Sequence, residues 1–71
     1  MKVIHLRAAR EQKRLTQEQL EALSGVSQGV ISRLEREAID PAFSTVMKLA
    51  GALGVDPRGL RFGPESDVAV A

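Results

Sequence analysis

The sequence predicts an all-α domain of five short helices around one aliphatic core, and three observations carry that expectation. Apolar residues recur at three- and four-residue spacing along most of the chain, and no segment alternates as a strand does except the last few residues. Start and stop signals fall at helix-sized intervals, with Thr16, Ser27 and Asp56 as starts and Gly25 and Gly54 as stops. Phe43 and Phe62 are the only aromatic residues, which leaves the core to Leu, Ile, Val and Ala. At 71 residues a single core is marginal, so regular helix packing or oligomerisation is expected to help.

The first helix is expected from about Ile4 to Lys13. Leu6, Ala9 and Lys13 share a face with the aliphatic stem of Arg10, and Leu15 packs under the turn that follows. The second helix starts at Thr16, where Thr16-x-x-Gln19 has capping-box spacing, and it turns Leu20 and Leu23 inward. Gly25 ends it, because glycine takes a positive φ without Cβ strain. The third helix starts at Ser27 as N-cap. Ile31 and Leu34 share its inner face, while Gln28, Gly29, Ser32, Arg33 and Arg36 lie away from that stripe. Only about three residues around Gly25 separate the second and third helices, the spacing of a helix-turn-helix.

A loop from Glu37 to Pro41 leads to a fourth helix over about Ser44 to Leu53, which is expected to bury Phe43, Val46, Leu49, Ala50 and Leu53. Asp56-Pro57 reads as N-cap and first residue of a short fifth helix reaching Arg61 or Phe62. Gly63-Pro64 then breaks the chain. The expected organisation is a domain over residues 1–62 and a tail over 63–71 that is frayed or used in assembly.

Composition removes several function classes. The absence of Cys excludes a disulfide scaffold and a thiolate metal site, and fits a reducing compartment. Apolar runs never approach the length of a membrane span, and Met1–Leu6 has no signal-peptide core, so a cytoplasmic, nucleoid-associated protein with no membrane contact is expected. His5, the sole histidine, has no neighbouring ligand set and reads as a surface helix residue. No base is arranged beside any serine, so neither an enzyme nor a cofactor or metal is expected. The net charge of +1 says little, but residues 1–36 carry +3 and residues 37–71 carry −2. The basic half suits an anionic partner, although two ordinary solvated faces would give the same balance.

The run Leu15-Thr16-Gln17-x-x-Leu20, then Gly25-Val26-Ser27, Ile31-Ser32-x-x-Glu35, Pro41 and Leu49-Ala50-x-Ala52-Leu53-Gly54-Val55 resembles the Cro/phage-repressor (XRE) family. The resemblance covers roughly residues 6–60 and is specific because several spaced motifs agree together. It implies a lambda-repressor-like domain whose third helix enters the DNA major groove. It also implies that Gln17 binds a phosphate and braces the first residue of the recognition helix, and that Gln28 reads a base. Glutamine suits adenine, because it offers a donor to N7 and an acceptor to N6. Ser27, Gly29, Ser32, Arg33 and Arg36 fall on the remaining DNA-facing positions, and Gly29 can offer only close backbone approach. Arg10 and Glu35 match a buried ion pair that aligns helices.

Three departures from the family pattern stand out. Glu21 replaces a small residue between the second and third helices and is expected to snorkel outward or to pair with Arg33 or Arg36. Glu37 replaces a capping glycine. Asp40 sits where basic residues often meet phosphate, so weaker nonspecific DNA affinity is expected.

The expected function is regulation of transcription, as a repressor, by a homodimer reading an inverted repeat in double-stranded DNA through the third helix. The expected dimer surface is Leu60, Phe62, Val68 and Val70. The alternative is an antitoxin or adaptor that binds a protein partner through the same scaffold.

Overall fold

Residues 2–65 are described in this computed structural model, and they form four α-helices and one pair of two-residue strands. In chain order these are β1 (Ile4–His5), α1 (Leu6–Gln12), α2 (Gln17–Ser24), α3 (Gln28–Arg36), α4 (Phe43–Leu53), a 3-10 turn at Pro57–Gly59, and β2 (Leu60–Arg61).

Local chemistry fixes the helix ends. The Gln19 N–H donates to Thr16 Oγ1 at 3.0 Å and the Thr16 N–H donates to Gln19 Oε1 at 2.8 Å, so the expected capping box forms. Gly25 closes α2 at φ 79°, with its N–H on the Glu21 carbonyl. Ser27 Oγ accepts from the Val30 N–H at 3.3 Å and opens α3. Between α1 and α2 the chain passes through Arg14 at φ 57°, a left-handed conformation unusual outside glycine. That turn is held from both sides, since Leu15 donates to the Arg10 carbonyl and Arg10 Nη1 donates to the Leu15 carbonyl at 2.7 Å.

The core draws on all four helices and both strands. Leu6, Leu20, Ile31, Leu34, Leu49 and Leu53 are its largest fully buried side chains, with Ala9, Val26, Ala50, Ile4 and Leu60 filling between them. Each fully buried side chain of this kind is worth about 1.5–3 kcal/mol relative to leaving it in water. Aliphatic burial thus holds four short helices that would not persist alone.

Several sequence expectations need correction. α1 begins at Leu6 rather than Ile4, because Ile4 and His5 pair in parallel with Leu60 and Arg61. The expected fifth helix is only the turn Pro57–Gly59, after which Leu60 extends into that pairing. Leu60 is 4% exposed in the core, so it is not free for a dimer surface, while Phe62 is half-buried against the core. Val68 and Val70 lie outside the described residues. Leu23 is 61% exposed, because Gln17, Leu20 and Ser24 set the inward face of α2 and Leu23 falls to one side of it. Phe43 is 78% exposed, since the first turn of α4 extends past the packed stripe that begins at Val46.

The expected tail boundary also moves. Gly63 is buried, and its N–H donates to the Leu34 carbonyl near the end of α3 at 2.9 Å. Its φ is 89°, and a Cβ there would lie 2.8 Å from Ala38 Cα. Gly63 therefore belongs to the packed unit, as the contact that ties the chain after β2 to α3.

Candidate nucleic-acid interface

A chain of hydrogen bonds runs from α1 to the first residue of α3. It starts at Arg10, whose Nε and Nη2 donate to the two carboxylate oxygens of Glu35 at 2.6 and 3.0 Å. Their side chains are only 12% and 6% exposed, so this is a fork-to-carboxylate pair largely out of water. The hydrogen bond to Glu35 holds the Arg10 pKa above its ordinary value, against the opposing effect of burial. The pair joins the last turn of α1 to the last turn of α3, so it fixes the angle between them.

Glu35 also determines the next link. An ionised carboxylate only accepts, so Gln17 must turn its amide nitrogen toward it, and Gln17 Nε2 donates to Glu35 Oε1 at 3.1 Å. That orientation leaves Gln17 Oε1 facing the opposite way, where it accepts from Gln28 Nε2 at 2.6 Å. The polarity of both amides is thus set by the Glu35 charge, one link from Gln17 and two from Gln28. Gln28 keeps one Nε2 hydrogen and its Oε1 free of these bonds. No buried side-chain nitrogen or oxygen among the described residues is left without a partner.

The backbone of Gln28 is held as well. Its N–H donates to Glu21 Oε1 at 3.2 Å, across the turn between α2 and α3. Of the two outcomes expected for Glu21, the structure shows the first: it turns outward and is exposed, and it does not pair with Arg33 or Arg36. Those cations have nearer partners one turn away. Arg33 Nε donates to Glu37 Oε1 at 3.2 Å, and Arg36 Nε donates to the Ser32 carbonyl at 3.3 Å. Sequence reasoning missed the role of Glu21. The available signal was a carboxylate in the last turn of one helix, with the positive N-terminus of the next helix a short turn away.

The remaining DNA-facing candidates lie on α3 and its cap. Ser27 and Gly29 are exposed and Ser32 is half-buried. Ser27 spends its hydroxyl on the helix cap. Gly29 has open space where a Cβ would point, so packing within the domain does not demand glycine. Arg33 and Arg36 are exposed on the later turns. The Arg33–Glu37 pair, with side chains 63% and 45% exposed, is worth little in water and costs little to open. α3 therefore presents an amide at its start and two cations further along, backed by Ile31 and Leu34 in the core.

Among the described residues, no three His, Cys, Asp or Glu side chains form a group that could hold a metal ion, and no helix is long and apolar enough to cross a membrane.

A helix-turn-helix family profile matches residues 6–60. Over 46 residues the chain is 52% identical to an uncharacterised HTH-type transcriptional regulator of Sinorhizobium fredii, covering 65% of this chain and 60% of that protein. Over another 46-residue match it is 44% identical to an uncharacterised HTH-type transcriptional regulator of Haemophilus influenzae, covering 65% of this chain and 47% of that protein. It is 36% identical over 50 residues to the immunity repressor protein of Bacillus phage phi105, covering 70% of this chain and 35% of the repressor. The matched region thus spans less than two thirds of each of these relatives.

Proposed function

This chain belongs to the helix-turn-helix family of the Cro/phage-repressor type, and from that premise we propose that it binds double-stranded DNA through α3 and regulates transcription. The relatives described as transcriptional regulators, and the one described as an immunity repressor, support this reading. The observation that carries it is the amide relay. Gln17 gives its nitrogen to Glu35 and its oxygen to Gln28, so Gln28 meets the groove with one N–H and one carbonyl available. That pair complements N7 and the N6 amino group of adenine. Arg33 and Arg36 supply the charge that meets phosphate or a guanine edge, and release of Arg33 from Glu37 costs little.

A single α3 reads only a few base pairs, so useful specificity needs two copies on an inverted repeat, with recognition helices about 34 Å apart. With Leu60 in the core, the proposed dimer surface is reduced to Phe62 together with Val68 and Val70, which lie outside the described residues. Gel filtration of a chain ending at Gly63 tests this. The expected result is a monomer, and an unchanged dimer would remove the tail from the interface.

DNA binding itself is tested by fluorescence anisotropy with a labelled duplex over a salt series. Two phosphate-neutralising arginines on each domain predict a log–log salt slope of roughly −2 per domain. Absence of binding, or binding indifferent to salt, would defeat the reading and favour the protein-partner alternative.

A further inference from the structure

We propose that Glu21 is a positioning residue that trades DNA affinity for base discrimination, an inference that rests on the DNA-binding reading above. Its carboxylate does two things from one place. It accepts the Gln28 N–H at 3.2 Å, so Gln28 is held by its backbone while Gln17 holds its side chain. It also keeps an exposed negative charge at the end of α3 that would enter the groove.

The first effect sharpens reading. The Gln17 bond at 2.6 Å fixes where the end of the Gln28 side chain lies, but it does not fix the backbone from which that side chain springs. The Glu21 carboxylate supplies the second point of attachment, and as an anion at the positive end of α3 it also stabilises the first turn. Two attachments leave the remaining amide groups of Gln28 little freedom to follow a mismatched base.

The second effect weakens attraction to the phosphate backbone. The major groove is about 12 Å across, so a carboxylate bonded to the first N–H of a helix inside it lies within about one Debye length, ~10 Å, of the phosphates on its rims. Repulsion by those phosphates applies to every sequence alike, because the phosphate backbone carries no base information. Among the described residues Glu21 has no cationic partner to offset it. The exposed ion pairs are Arg7–Glu11, Arg33–Glu37 and Arg58–Asp56, and none includes Glu21.

Two substitutions in the full chain separate the effects. Glu21→Gln removes the charge and keeps an acceptor for the Gln28 N–H. It should tighten binding to a random-sequence duplex about three- to tenfold at ~0.1 M salt, steepen the log–log salt slope by up to about one, and leave base preference unchanged. Glu21→Ala removes both charge and acceptor. It should give the same gain on random duplex while flattening the preference at the base pair that Gln28→Ala also affects. Circular dichroism of both variants checks that they remain folded, and the gain in affinity is itself a readout that a damaged fold would not produce. Salt-dependent binding by the wild-type chain with no tightening in Glu21→Gln overturns the charge role. Unchanged base preference in Glu21→Ala overturns the positioning role. Wild-type chain that shows no salt-dependent binding at all overturns this inference together with the reading on which it stands.

Discussion

α3 and α4 are both amphipathic and both packed through aliphatic side chains, but they are held by different physics. α4 runs for 11 residues from Ala42, which makes no side-chain cap, and is seated by Leu49, Ala50 and Leu53. Its outer face carries Phe43 and Met47, at 78% and 44% exposure. α3 runs for nine residues and also buries a short apolar stripe, Ile31 and Leu34. In addition it is tied by directional bonds at its start, through Ser27, Glu21 and Gln17, and at its end, through Arg10 to Glu35 and Gly63 to Leu34. Hydrophobic burial is non-directional, so it can seat a helix while leaving its rotation and axial position loosely set. Hydrogen bonds have narrow distance and angle ranges and fix both. A helix that only fills a core needs the first kind of support. A helix that aims one amide at a base edge, the role proposed for α3, needs the second.

The comparison can be broken most forcefully at the ion pair. Arg10→Met leaves Glu35 buried without its partner, and should destabilise the chain by about 3–5 kcal/mol in urea unfolding. It also removes the charge that orients Glu35, so base preference should blur in any fraction that stays folded. A loss under ~1 kcal/mol would mean that α3 rests on apolar burial as α4 does.

The second tie at that same end of α3 comes next in size. Gly63→Ala places a Cβ against Ala38 Cα at 2.8 Å and forces an L-residue to φ 89°. It should cost roughly 2–3 kcal/mol and lower the thermal midpoint. A stability equal to wild type would show that neither the close approach to Ala38 nor the left-handed φ makes glycine necessary at position 63.

A smaller and sharper contrast uses two helical glycines. Gly29 in α3 and Gly51 in α4 both have open space where a Cβ would stand. Alanine at either site should add about 0.5–1 kcal/mol of stability by relieving the cost of glycine in a helix. If α3 meets the groove through its backbone at Gly29, only Gly29→Ala also weakens DNA binding. Equal DNA affinity in both variants would show that Gly29 makes no close approach.

One pH effect is smaller still. Asp56 caps the 3-10 turn, and its hydrogen bonds from Arg58 hold its pKa below the ordinary value. A depressed carboxylate stabilises the fold above its unfolded pKa and loses that contribution as pH falls through the folded one. Asp56→Asn should therefore flatten the acid limb of the stability–pH curve slightly, below the usual carboxylate range. An identical limb would remove Asp56 from the acid response.

Much of this was legible in the sequence because local rules decide it. The Thr16–Gln19 box, the Gly25 turn and the Ser27 cap each depend on residues within four positions of one another. The inner stripe of α3 follows from helical periodicity alone. What the sequence hid depends on distant partners. The pairing of Ile4 with Leu60 joins segments too short to show alternation, and it moved Leu60 from a presumed surface into the core. Gly63 reads as a chain breaker until Ala38 is seen beside it. Phe43 continues the spacing of the buried stripe, and only the extent of the neighbouring elements shows that nothing covers it. In the candidate site, Gln17 and Gln28 were legible through the family resemblance. The Glu21 bond was not, because a carboxylate between two helices suggests a cation as partner more readily than a backbone N–H.

The most direct test of α3 as a fixed reading helix is selection of bound sites from random duplex DNA by the wild-type chain and by Gln28→Ala in parallel. The account predicts a short inverted repeat with half-site centres about 34 Å apart, carrying adenine at one symmetric position. Gln28→Ala should keep the repeat and lose that adenine preference, at a cost of about 1–3 kcal/mol on the preferred site. Selection without any enriched sequence, or the same adenine preference in both chains, would contradict it.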